Sequence, residues 1–191
     1  MKDCKLSYKL LNHPFYQSWN EGTITTDQLS KYGQSYLEFI KNMPVYWGKA
    51  LKDLGAVDEN GERVVSEETD HIALWEKWIM ELPKTESYPV MTELLDSFKE
   101  LEGSELLGAL HAFEVQQPEV ARTKKEGLIK HYGFKAENLN YFDEHLEEEH
   151  HIRYALDVQN KYGDDAKFQE GFSKGQKLVY QALDKFVNCV N

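Results

Sequence analysis

Histidines and carboxylates crowd the stretch Tyr141–Leu156, YFDEHLEEEHHIRYAL, which holds three histidines and five acidic residues. Charge at that density ordinarily makes a solvated helix face. Tyr141, His145 and Glu149, however, recur every four residues and so share one stripe of a helix. An imidazole and a carboxylate one turn apart, both projecting inward, are what a helical bundle uses to hold iron or manganese. Glu148 and His151 form a further pair three apart. His151 lies off the His145 stripe in a regular helix, and a π-bulge or tightened turn between them would bring it in.

Three other segments carry groups of the same kind. Glu68 and His71 are three apart, and His71 precedes Trp75 by four and Trp78 by seven, so it points to the aromatic side of its helix. Glu114, in GALHAFEVQQPEVAR, shares a mainly apolar stripe with Leu107, Leu110, Gln117 and Ala121, where a carboxylate is rarely buried unless paired or metal-bound. Pro118 cannot donate to the Glu114 carbonyl, so the helix should kink where that carboxylate projects. Tyr16, Tyr32, Tyr36 and Tyr141 complete the set; tyrosines are most often core-edge residues, but beside a redox metal a phenol can supply electrons and protons. Oxygen and nitrogen donors without thiolate favour iron or manganese over structural zinc.

The elements that must position these groups read as helices throughout. The first is expected from Leu6 to Trp19, bent or divided at Pro14. Thr25 and Gln28 form a capping box that opens a helix from Thr26 to Leu54, kinked at Pro44. VDENG, Val57–Gly61, reads as a loop. Further helices are expected over Val65–Leu82, Val90–Leu101, Glu105–His131 (capped by Ser104 and interrupted at Pro118), Tyr141–Tyr162, and Asp164 to Val187. The spacing thus predicts an all-α fold, one helical bundle of about seven helices forming a single domain over residues 1–191.

Composition narrows the function. Twenty-two basic against 33 acidic residues leave a net charge of −11, which repels phosphate backbones and anionic lipid and argues against nucleic-acid or membrane-surface partners. No apolar run approaches the ~20 residues of a membrane span. Two cysteines, Cys4 and Cys189, and no secretory signal point to a reducing cytoplasm.

Longer motifs carry a resemblance. LNHPFYQSWNEGTITTDQLSKYGQSYLEFIKNMPVY (Leu11–Tyr46) resembles the N-terminal signature of haem-oxygenase-like helical proteins with the TenA/PqqC fold. DHIALW, AFEVQQPEVARTKKEGLIKHYGF and YFDEHLEEEHH resemble the diiron oxidase branch of that family, and within it the CADD-like para-aminobenzoate synthases. The likeness extends over Leu11–Leu156, more weakly into the last helix. It implies two metal ions, Fe/Fe or Fe/Mn, with O2 as oxidant, an external reductant, and a homodimer. Ligands carried over are Glu68 and His71, then Glu114, then His145 and Glu149. The family's final ligand falls at Ile152, which cannot bind metal, leaving His151 as the nearest substitute; Glu67 is a rival to Glu68.

The same resemblance implies an unusual substrate. In CADD-like proteins a tyrosine of the protein is consumed to give the aminobenzoate ring, with a lysine as amine donor. The matching positions are Tyr16 and Lys124, and Tyr32, Tyr36 and Tyr141 match tyrosines near that site. Lys124 stands ten residues beyond Glu114, about 15 Å along a straight helix, a gap the Pro118 kink would shorten. A TenA-type thiaminase would need a mid-chain cysteine, absent between Cys4 and Cys189. A haem would need His13 as its early axial ligand. Oxidation of an external small molecule, and a non-enzymatic helical interaction module, are the other readings of these residues.

Overall fold

In the computed structural model, residues 4–85, 91–147 and 149–189 are described, Asn188 and Cys189 by backbone alone; the expected helix start at Val90, Glu148 of the Glu148/His151 pair and the Cys189 side chain lie outside them. Nine α-helices and two 3-10 turns make up the ordered elements of the described residues, without a strand. They are α1 (Pro14–Glu21), α2 (Thr26–Asp53), α3 (Glu59–Ile79), α4 (Thr92–Lys99), α5 (Gly103–Glu114), α6 (Gln117–Tyr132), α7 (Asn140–Glu144), α8 (Glu149–Tyr162) and α9 (Asp165–Cys189).

The bundle is built around α5, buried without interruption from Leu106 to Glu114, as expected of a helix apolar on every side. Its most extensive contact is with α9. Two glycines permit that approach: a Cβ on Gly108 would lie 2.1 Å from the Phe168 carbonyl oxygen, and one on Gly171 1.8 Å from that of Glu105. On another side α2 lies along α5 and carries α3, whose Trp75 indole donates to the Gly33 carbonyl at 2.8 Å. The Trp19 indole likewise ties α1 to α6, donating to the Lys124 carbonyl at 3.1 Å.

Most departures from the expected helices occur at their ends. Pro14 does not bend a helix begun at Leu6; it opens α1 at the first position, where its missing N–H costs nothing, and His13 caps the turn. The Thr25–Gln28 capping box forms, and Pro44 is accommodated within α2. Helix α3 starts at Glu59, inside the expected loop, because the Asp58 side chain accepts from Gly61 N and caps it there. Ser104 caps nothing: it lies inside α5, its hydroxyl accepting from Asp164 N at 2.8 Å.

Two helix breaks matter more, the first expected at Pro118 and the second only as a local defect between His145 and His151. The helix expected over Glu105–His131 is two helices, α5 and α6, separated at Val115–Gln116 just before Pro118. Gln116 pins the joint: its Oε1 accepts from Leu10 N at 2.9 Å and its Nε2 donates to the Ala112 carbonyl at 3.1 Å. The helix expected over Tyr141–Tyr162 is also two, α7 ending at Glu144 and α8 starting at Glu149. No helix among the described residues is long and apolar enough to cross a membrane.

Candidate metal centre

The inward face of α3 provides Glu68 and His71, the last turn of α5 provides Glu114, His145 follows α7 as its C-cap, and His151 stands in the first turn of α8. All five are buried. His71 Nδ1 lies 3.5 Å from one Glu68 oxygen and His151 Nδ1 3.4 Å from the other. One ligand atom each from Glu68, Glu114 and His151 falls within 4.8 Å of the other two. The His71 and His145 rings are 4.5 Å apart at their centroids, and those of His71 and His151 6.4 Å.

Glu149 is not brought in. Once the helix breaks after Glu144, the four-residue stripe from His145 no longer reaches it; its side chain is 73% exposed and pairs with Arg153 at 2.6 Å. The same break carries His151, six residues beyond His145, to full burial against Trp47. Glu67, the rival to Glu68, sits one position round the helix and faces outward from the buried cluster. Its Oε2 lies 3.0 Å from His151 Nε2 and 2.7 Å from His150 Nε2, and its Oε1 accepts from Arg63 Nε at 3.0 Å.

The electrostatics are those of crowded, buried donors. Burial first, and the neighbouring Glu68 carboxylate second, raise the Glu114 carboxyl well above the usual carboxylate range. On Glu68 burial acts in the same direction, but hydrogen bonds from His151 and His71 outweigh it and hold that carboxyl low. Burial, with His71 adding to it, lowers His145 to about 3, so its imidazole is neutral. Its Nδ1 lies 2.7 Å from the Tyr141 carbonyl, which fixes the proton on Nδ1 and the lone pair on Nε2, as on metal-binding histidines. Glu114 Oε1 is buried without a hydrogen-bond partner among the described residues, a cost that a bound cation would remove. Imidazoles and carboxylates without thiolate, fully enclosed, fit a redox-active divalent metal.

Beside this cluster a lysine is packed among aromatic rings. Lys124, on α6, is 2% exposed. Its Nζ stands 4.9 Å from the Tyr36 ring centroid, 5.2 Å from that of Tyr32, 5.7 Å from that of Tyr16 and 5.6 Å from that of Trp75. Burial alone lowers its pKa to about 7. Burial likewise raises the phenols of Tyr16, Tyr32 and Tyr36, and for Tyr36 the charges of Glu114 and Glu68 add to it. Tyr36 is thus near both the Lys124 amine and the two buried carboxylates. Tyr141 joins them on the other side, 4.7 Å from Trp75 and 4.1 Å from His145 between ring centroids. Trp75 is both core and a wall beside the Lys124 amine, and nothing in its spacing distinguishes the two roles.

His13 cannot serve a haem. Its Nδ1 accepts from Phe15 N at 3.0 Å and its Nε2 lies 3.0 Å from Asp184, so both ring nitrogens are occupied by structural partners.

Comparison with known proteins bears on this geometry. The model of a haem-oxygenase-like family described as iron-containing redox enzymes matches residues 46–182. The chain belongs to that family. Among its relatives, a 4-aminobenzoate synthase of Chlamydia pneumoniae is 31% identical, the match covering 94% of this chain and 89% of that one. A 4-aminobenzoate synthase of Nitrosomonas europaea is 26% identical, over 97% of this chain and 87% of its own. Among solved structures, a CADD-like protein of unknown function from Nostoc punctiforme superposes with a TM-score of 0.78 at 17% identity, covering 96% of this chain and 90% of that one. A TenA homologue from Pseudomonas syringae pv. tomato gives 0.72 at 14% identity, covering 94% and 87%. These two show the shared fold.

Proposed function

We propose that the chain is an O2-dependent oxidase with a dinuclear metal centre that makes 4-aminobenzoate from its own Tyr16, with Lys124 as the source of nitrogen. One observation carries the reading: a lysine amine, enclosed by three tyrosine rings and Trp75, lies beside a buried carboxylate–imidazole cluster. A buried lysine without an ion pair among the described residues destabilises a fold, and a chemical role explains its retention. The relatives named 4-aminobenzoate synthase support the same product.

Glu68, His71, Glu114, His145 and His151 would hold the ions. Iron with iron, or iron with manganese, supplies the capacity to reduce O2, with an external reductant, to an oxidant strong enough for a phenol. The residues do the rest. The carboxylate–imidazole cluster and Lys124 are both buried, and the rings nearest the amine are the protein's own. Burial keeps the Tyr16 phenol protonated, so taking an electron from that ring requires loss of its hydroxyl proton. The depressed pKa of Lys124 leaves much of its amine unprotonated near neutrality, with a lone pair available to carbon. Tyr36 and Trp75 fix the amine over the ring faces. Consumption of Tyr16 limits each chain to a single turnover.

The test is direct. The protein is loaded with Fe(II), or with Fe(II) and Mn(II), and given O2 and reductant without added substrate. Aminobenzoate is assayed and the intact chain weighed. Product with a matching loss of protein mass, absent in Tyr16→Phe, is expected. Undiminished product from Tyr16→Phe refutes the self-sacrifice, and unchanged protein mass with consumption of an added small molecule establishes an external substrate.

A further inference from the structure

The buried cluster poses a problem of access: its ligands are enclosed, and an ion must reach them. On the solvent side of His151 the structure holds a second group of metal-type donors. Glu67 Oε2 lies 2.7 Å from His150 Nε2 and 3.0 Å from His151 Nε2, and one ligand atom of each residue falls within 4.8 Å of the others. Arg63 occupies the opposite oxygen, Oε1, which leaves Oε2 turned to the two imidazoles. The group is open to solvent, with the His150 side chain 39% and that of Glu67 33% exposed. His151 belongs to both groups, with Nε2 toward Glu67 and Nδ1 toward Glu68.

We propose that Glu67, His150 and His151 form an outer site for a divalent transition-metal ion, and that ions pass from it into the buried centre. Two imidazoles and a carboxylate, with further positions open to water, are a common three-ligand set for borderline divalent metals. A net charge of −11 raises the local concentration of cations at such a site. The outer donors and the Glu68 carboxylate stand on opposite sides of the one His151 ring, so loading would need rearrangement at His151 and not opening of the bundle. The binding half of this proposal stands on the outer residues alone; the loading half rests on the buried centre proposed above.

Metal-free full-length protein titrated with Co(II), followed by its visible absorption and challenged with a chromogenic chelator, separates the two. The wild type should bind one ion that the chelator strips at once, and others that it removes slowly. His150→Ala and Glu67→Gln should lose the rapidly stripped ion and fill the slow sites on the order of tenfold more slowly, to the same final count. Glu114→Gln should keep the rapidly stripped ion and lose slow ones. A rapidly stripped ion that persists in both outer-site variants overturns the outer site. A fall in the final slow count in His150→Ala overturns it too, by making His150 a ligand of the inner centre. Loss of the rapid ion with unchanged filling of the slow sites overturns the loading role alone. Slow ions undiminished in Glu114→Gln would refute the buried centre and leave the outer site standing.

Discussion

Replacing Lys124 with methionine should stabilise the protein, and by an amount that depends on pH in a calculable way. The side chain is 2% exposed, and its pKa falls from the ordinary 10.5 to about 7 through burial. Each tenfold change in proton affinity is worth about 1.4 kcal/mol. Between about pH 7 and 10.5 the unfolded chain holds a proton at this position that the folded chain does not, so wild-type stability rises with pH across that window. The penalty is complete below pH 7, where it reaches about 5 kcal/mol, and has fallen to about 2 kcal/mol at pH 9. The ring faces around the ammonium return roughly 0.5–2 kcal/mol of it. Metal-free Lys124→Met should therefore gain about 3–5 kcal/mol over the wild type at pH 6 and about 2 kcal/mol at pH 9, where the amine is neutral and the rings return nothing. Urea unfolding of both proteins at the two pH values measures this directly, because other titrating groups cancel in the difference. A gain below about 1 kcal/mol, or one that does not change with pH, would mean that the lysine is not buried as an uncompensated amine.

The same geometry fixes other outcomes. Single-turnover aminobenzoate formation should fall as pH drops below about 7, with one ionisation on the acid side, because a protonated Lys124 has no lone pair; a pH profile by rapid quench reads it. Glu114→Gln should raise the melting temperature of the metal-free protein by relieving the buried carboxylate pair, while lowering bound iron per chain by elemental analysis. Glu149→Ala should change neither, shifting the melting temperature by no more than about 2 °C, since it is exposed and its partner Arg153 is exposed too. His13→Ala should cost roughly 1–2 kcal/mol through loss of the α1 cap and leave iron content untouched, as calorimetry and elemental analysis would show.

Much of this architecture is legible in the chain. Helical periodicity and the near absence of strand signals give an all-α fold, and the Thr25–Gln28 capping box marks the start of α2 to the residue. Helix ends governed by one side chain are harder to read. Asp58 opens α3 within what reads as a loop, and Pro14 can be a bend or a beginning until its neighbours are known. Among the candidate site residues, burial of His71 and Glu114 follows from their aromatic and apolar stripes, and both are inside. The outward turn of Glu149 and the inward turn of His151 do not follow, because periodicity assumes an unbroken helix.

The two breaks have a common consequence for the site. A continuous helix from Glu105 to His131 would set Glu114 and Lys124 about 15 Å apart along one rod. Ending α5 at Glu114 and restarting at Gln117 lets each helix take its own direction, so the carboxylate reaches the imidazole cluster while Lys124 reaches the tyrosines. The interruption between α7 and α8 likewise lets His145 and His151, which a regular helix would turn to different faces, both approach His71. The first break has an assignable cause in the missing N–H of Pro118, held by Gln116. The second lies in a run of glutamates, whose helix propensity is high, so local sequence does not impose it. What outweighs propensity there is burial: His145 donates Nδ1–H to the Tyr141 carbonyl of the preceding turn, and His151 is enclosed between Glu67, Glu68 and Trp47. The charged stretch that reads as a solvated surface is bent inward at His145 and His151, while Glu149 and Arg153 remain in water.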